Sequence, residues 1–105
     1  NIGGENEWQN ITLVRYLCEI MAYLQGKEKK DYQRLITFVK DRPGHDRRYA
    51  LNCDKLKQVL GWQPSYDFKA GLKETIHWYL AHPEWVHRVQ TGEYRAWMKR
   101  NYEKR

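Results

Sequence analysis

The sequence has no apolar run approaching the roughly 20 residues that a helix needs to cross a bilayer, so no helical membrane span is expected. Cysteine is scarce: Cys18 and Cys53 are the two present. They lie far apart with no second pair, and Cys18 falls on the apolar face of a helix, so free thiols in a reducing cytoplasm are the expectation, with a disulfide or a metal pair as the alternative. Histidine is also too sparse for a metal motif, because His77, His82 and His87 lack the i, i+4 pairing of a helical zinc site. They read as surface or packing residues. No internal repeat and no low-complexity stretch is present. Three phosphate and nucleophile signatures are missing as well: Gly-x-Gly-x-x-Gly after a strand, a Gly-Lys-Ser or Gly-Lys-Thr loop, and a Gly-x-Ser-x-Gly elbow. Neither a dinucleotide cradle nor a hydrolase nucleophile is therefore legible. The chain opens on Asn1 without Met or a readable targeting pattern, and it is expected to be a fragment or a processed piece.

What is present fits one small domain. The 105 residues are 41% hydrophobic and 30% charged, a soluble composition with room for one modest core. The net charge is +6 and the pI about 9.4, which favours an anionic partner through long-range attraction. Much of the excess lies in residues 27–30 and 99–105, where solvated charge is the ordinary explanation.

Helical periodicity dominates. Val14, Leu17, Cys18, Met21 and Leu24 recur at helical spacing over 11–24, with Asn10 placed to cap the first free N–H groups. Gly26 and the charged stretch to Asp31 should break that helix. Leu56, Val59 and Leu60 define a second helix, capped by Asn52, ended by Gly61 and covered by Trp62. Asp67 can cap a third with Phe68, Leu72, Ile76, Tyr79 and Leu80 inward. Pro83 suits the first turn of a fourth that bears Trp85, Val86 and Val89. A last helix is expected around Tyr94, Trp97 and Met98. Residues 35–39 read as a strand from their β-branched and aromatic content, with shorter extended pieces at 1–4 and 49–51. The predicted class is α+β, a mainly helical small lobe with two or three short strands. Such strands expose backbone that one ribbon could hardly satisfy, so the lobe should rest on something larger.

The segment Asp41-Arg42-Pro43-Gly44-His45-Asp46-Arg47-Arg48 must be a loop, since Pro-Gly between charged residues cannot continue a strand. It gathers Arg42, His45, Arg47 and Arg48 around a turn where backbone can approach a ligand, and guanidinium forks match phosphate oxygens. An anion site is one reading. A solvated turn with its arginines paired to Asp41 and Asp46 is the other. Tyr23 and Lys27 have the Tyr-x-x-x-Lys spacing of short-chain dehydrogenases, but Tyr23 ends a helix and Gly26 interrupts the turn that should hold Lys27, so this match is set aside.

The run Leu35-Ile36-Thr37-Phe38-Val39-Lys40-Asp41-Arg42-Pro43-Gly44-His45-Asp46-Arg47-Arg48-Tyr49-Ala50 closely resembles the signature of the dTDP-glucose 4,6-dehydratase family, extended short-chain dehydrogenase/reductases. Asn1-Ile2-Gly3-Gly4 through Asn10, Leu60-Gly61-Trp62-Gln63-Pro64, Trp78-Tyr79-Leu80 and the stretch from Tyr94 to Tyr102 agree in order. The resemblance covers essentially the whole chain. It implies that residues 1–105 are the C-terminal nucleotide-sugar-binding domain, with an N-terminal Rossmann domain that binds NAD absent from this chain. It also implies a dTDP-sugar substrate and a homodimer in the intact enzyme. The family reaction passes hydride from sugar C4 to NAD, removes water across C5 and C6, and returns hydride to C6. Carried over by position, Arg42 falls at the diphosphate, Asn10 and His45 beside the nucleotide, and Tyr102 near the substrate, while Asp41, Pro43 and Gly44 shape the loop. No catalytic and no cofactor-binding residue is assigned within this chain.

A purely structural fragment is one further reading, and two more specific ones remain. One is a related nucleotide-sugar dehydratase or epimerase. The other, of a different class, is a basic module that binds nucleic acid, which should interleave aromatic and basic residues on an exposed face. The five tryptophans fall mostly at helix-core spacing instead, so neither nucleic acid nor membrane is an expected partner.

Overall fold

Helix α1 (Asn10–Gln25) begins one residue earlier than the spacing predicts, and its N-cap is Gln9. Asn10 is therefore the first helical residue, and the first turn closes through the Leu13 N–H donating to the Gln9 carbonyl at 3.0 Å. The helix ends at Gly26, whose φ of 62° is left-handed, a conformation that glycine adopts without a Cβ clash. There the Lys27 N–H turns back to the Ala22 carbonyl at 2.9 Å and satisfies an acceptor that the last turn leaves open. Cys18, Ile20 and Ala22 are buried along α1.

The charged stretch after Gly26 forms a short helix rather than a plain break. Helix α2 (Lys29–Gln33) starts after Glu28, whose N–H is taken by the Asp31 carboxylate at 3.3 Å. Helix α2 packs against α1. Helix α3 (Asp54–Leu60) ends on Gly61, and the Asn52 side chain accepts the Asp54 N–H at 2.9 Å. Helix α4 (Phe68–Ala81) is capped by Asp67, whose carboxylate accepts the Ala70 N–H at 2.8 Å. Helix α5 (Pro83–Thr91) opens on proline, as its missing N–H and fixed φ allow.

The structure is a computed structural model that describes residues 1–92, 95–96 and 99–100. The helix expected around Tyr94, Trp97 and Met98 lies at residues outside that set.

The α+β expectation is overturned: among the described residues there is helix and no strand. Residues 35–39 show why. Leu35, Phe38 and Val39 are 71%, 80% and 85% exposed, so the apolar side chains meant to seat a strand cover nothing. The Leu35 and Ile36 N–H groups donate back to Tyr32 and Gln33 at the end of α2, at 3.0 and 3.1 Å, instead of joining a ladder. β-propensity describes a residue that suits a paired, half-buried surface, and without a partner strand it creates nothing. The pieces at 1–4 and 49–51 likewise carry no strand.

The chain divides into two compact units, Asn1–Lys73 and Glu74–Arg105. In the first, the Trp8 ring lies 5.7 Å from Tyr16 and 5.0 Å from Phe68 between centroids, and the Lys69 ammonium stands over Tyr16. Cys53 is fully buried, with its thiol directed at the Gly3 carbonyl 3.4 Å away. In the second, Ile76 is buried. The Trp78 ring stacks on His82 at 4.3 Å and meets Trp85 edge-on at 5.3 Å. His82 is a packing residue, and its Nδ1 lies 2.7 Å from the Trp78 carbonyl. Both cysteines are free.

Candidate functional site

The 41–48 loop is organised by one carboxylate. Asp41 Oδ1 accepts the Arg42 backbone N–H at 2.8 Å and lies 2.7 Å from His45 Nδ1, so it ties both sides of the Pro43-Gly44 turn. The hydrogen bond from His45 holds the Asp41 carboxyl below its usual range, with the Arg42 N–H adding to the effect and burial opposing it. Gly44 has φ 69°, and a Cβ there would meet no atom within 4 Å. Glycine is needed at this turn for its left-handed backbone rather than for space.

The cations of the loop have different fates. His45 is engaged by Asp41. Arg48 is engaged by Glu7, with Nε donating to Oε2 at 2.5 Å and Nη2 to Oε1 at 2.7 Å, a two-armed fork between residues 41 positions apart. That hydrogen bond lowers the Glu7 pKa and raises that of Arg48. The reading in which the arginines pair with Asp41 and Asp46 therefore does not describe Arg48. The guanidinium groups of Arg42 and Arg47 are exposed and have no side-chain partner among the described residues. A free guanidinium beside a turn can place two parallel N–H donors on one phosphate.

Asn10 is exposed at the first position of α1, and its amide does not cap the helix. Asp41, Arg42, Pro43, Gly44 and His45 fall together in the loop. The Glu7–Arg48 fork joins the end of that loop to the segment leading into Asn10. Tyr102 lies outside the described residues. Sequence reasoning missed Glu5 and Glu7. Glu5 meets the Lys57 ammonium at 2.5 Å, which raises the Lys57 pKa. Both glutamates lie in the stretch from Asn1 to Asn10 that shares the family resemblance, but their cations, Lys57 and Arg48, are distant in sequence, so no local spacing points to the pairing. The Tyr23 ring lies under the Lys73 ammonium at 4.7 Å.

The residues present do not fit NAD. A dinucleotide cradle needs glycines at a helix N-terminus so that backbone N–H groups can close on a pyrophosphate. The segment running into α1 instead commits its carboxylates to cations of the chain, Glu5 to Lys57 and Glu7 to Arg48, and the first turn of the helix carries no glycine. Among the described residues no group of three or more His, Cys, Asp or Glu side chains is placed to hold a metal, and no helix is long and apolar enough to cross a membrane.

These features, a helical chain with an Asp-Arg-Pro-Gly-His loop whose Arg42 and Arg47 have no side-chain partner among the described residues, suit a loop that can receive an anion. The family model for GDP-mannose 4,6 dehydratase matches residues 1–75, and the chain belongs to that family. Among curated relatives it is similar to dTDP-glucose 4,6-dehydratase from Shigella flexneri, with 48% identity over all 105 residues. It is also similar to dTDP-glucose 4,6-dehydratase 1 from Escherichia coli K12, with 46% identity over the same length. The chain spans about 29% of the length of each. A crystal structure of dTDP-glucose 4,6-dehydratase from Bacillus anthracis in complex with NAD matches with 46% identity and a TM-score of 0.60, over 81% of this chain and 24% of that one.

Proposed function

We propose that residues 1–105 are the C-terminal nucleotide-sugar-binding domain of an NAD-dependent dTDP-glucose 4,6-dehydratase, which converts dTDP-glucose to dTDP-4-keto-6-deoxyglucose. In this reading an N-terminal Rossmann domain outside this chain holds NAD, which supplies the redox chemistry, and carries the catalytic residues. The intact enzyme is a cytoplasmic homodimer, and the buried free thiols of Cys18 and Cys53 suit a reducing compartment. Arg42 grips the substrate diphosphate. Asn10 and His45 flank the nucleotide, Asp41, Pro43 and Gly44 shape the loop, and Tyr102 approaches the substrate.

The observation that carries this reading is the partition of charge in the loop. His45 and Arg48 are committed to carboxylates, while Arg42, the arginine that the resemblance assigns to the diphosphate, has no side-chain partner among the described residues. A phosphate site needs an arginine that no carboxylate of the chain already occupies; Arg42 and Arg47 both meet that need, and the resemblance selects Arg42.

Titration calorimetry on the intact enzyme tests the assignment. Arg42→Ala should weaken dTDP binding by about 1.5–3 kcal/mol, the worth of a charge-assisted hydrogen bond, with NAD affinity nearly unchanged. Arg42→Lys should recover only part, because an ammonium cannot form the fork. Unchanged dTDP affinity in Arg42→Ala overturns the assignment. Tighter binding of a guanine nucleotide than of dTDP would favour the sister enzyme for which the family model is described.

A further inference from the structure

Glu5 and Glu7 tether the segment ahead of α1 at two points that no helix requires. Glu5 is the one non-glycine residue with positive φ, 51°, among the described residues, a left-handed backbone that a side-chain-bearing residue adopts at a cost. Its carboxylate meets Lys57 on α3. Two positions on, Glu7 takes both arms of Arg48 at the end of the 41–48 loop. The same segment continues through Trp8, held by Tyr16 and Phe68, into Asn10. The fork thus spans two stretches without regular secondary structure, one carrying the free arginine and the other leading to the free amide.

We propose that Glu7 is a positioning residue for nucleotide-sugar binding: by holding both arms of Arg48 it anchors the exit of the 41–48 loop to the segment that opens α1, and so sets where Arg42 and Asn10 present their free polar ends. The proposal rests on reading the loop as the diphosphate site. A purely stabilising role would be small, because the side chains of Arg48 and Glu7 are 70% and 46% exposed and exposed ion pairs contribute little. What two parallel hydrogen bonds add is direction, since a fork fixes the angle between its partners as well as their distance. The fork also occupies Arg48, so that this cation does not draw the diphosphate away from Arg42.

Steady-state kinetics on the intact enzyme tests this. Glu7→Gln should raise KM for dTDP-glucose about fivefold, the upper end for an exposed pair, with kcat within about twofold and NAD binding unchanged. Exchanging the partners, Glu7→Arg together with Arg48→Glu, should bring KM back toward wild type, because the fork is rebuilt with reversed polarity. An unchanged KM in Glu7→Gln overturns the proposal, as does a lowered thermal midpoint with kcat and KM moving together, or failure of the exchanged pair to rescue. Should Glu7→Gln not fold, Arg48→Lys keeps the cation, removes the fork and must show the same rise. Arg42→Ala measured alongside separates the two levels. A KM insensitive to Arg42 overturns the diphosphate reading itself, whereas sensitivity at Arg42 with none at Glu7 overturns only the positioning role.

Discussion

Asp41 and Glu7 do comparable work at the residue scale, each carboxylate joining a cation of the loop to another point of the chain. Both carboxyls lie below their usual values, Asp41 through His45 and Glu7 through Arg48, with burial opposing in each case. A depressed folded-state pKa means that the contribution is fully present above the ordinary carboxylate range, about 4, and is lost as pH falls through the lowered value. The loop should therefore hold its form through neutral and mildly acidic solution and loosen only below that range. Carbon-13 titration of the Asp41 and Glu7 carboxyls in the intact protein should give midpoints below those of exposed model carboxylates, and ordinary midpoints would mean that these pairs are not formed. The 41–48 loop was legible in the sequence because its Pro-Gly turn and arginines are contiguous. The Glu7–Arg48 fork was not, because residues 41 positions apart share no local pattern.

Caps decide most of the outcome at the scale of the element. Asp67 caps its helix as its sequence position predicts, because a side-chain oxygen needs only to reach a backbone N–H two or three residues away; Asn52 accepts the Asp54 N–H but stands one position ahead of the cap, which is Cys53. Asp67→Ala should cost α4 about 1 kcal/mol of local stability, read as roughly fivefold faster hydrogen exchange at the Ala70 amide, while amides in α1 are unaffected. Equal exchange at Ala70 would show that the cap contributes nothing. Asn10 did not cap, since helix α1 starts one residue earlier and uses Gln9. The expected strand at 35–39 failed for a different reason. A helix satisfies its backbone within itself, whereas a strand depends on a second one, and none lies alongside among the described residues.

On the scale of the whole molecule, little of the apolar surface is covered. Among the described residues, Cys18, Ile20, Ala22, Cys53 and Ile76 make up the buried hydrophobic set, while Phe38, Val39, Val59 and Leu60 are at least 70% exposed. Extensive exposed apolar surface promotes association, so the 105-residue chain by itself should bind a hydrophobic dye and self-associate as concentration rises. A monomer at all concentrations in sedimentation, with no dye bound, would contradict this. The same isolated chain should neither bind NAD nor convert dTDP-glucose, because hydride transfer needs a held nicotinamide and no glycine cradle is present. Any 4-keto product from it would contradict that expectation.

The sequence alone determined helices α1, α3, α4 and α5, the glycine stops of α1 and α3, the Asp67 cap and the position of the Asp-Arg-Pro-Gly-His loop. Each of these is set by interactions that reach only a few residues along the chain. Tertiary structure decided which cations of the loop are engaged and which are left free, and whether an extended segment becomes a strand. Both depend on groups distant in sequence meeting in space, the Glu7 carboxylate reaching the Arg48 guanidinium in one case and, in the other, no second strand lying beside residues 35–39 among the described residues.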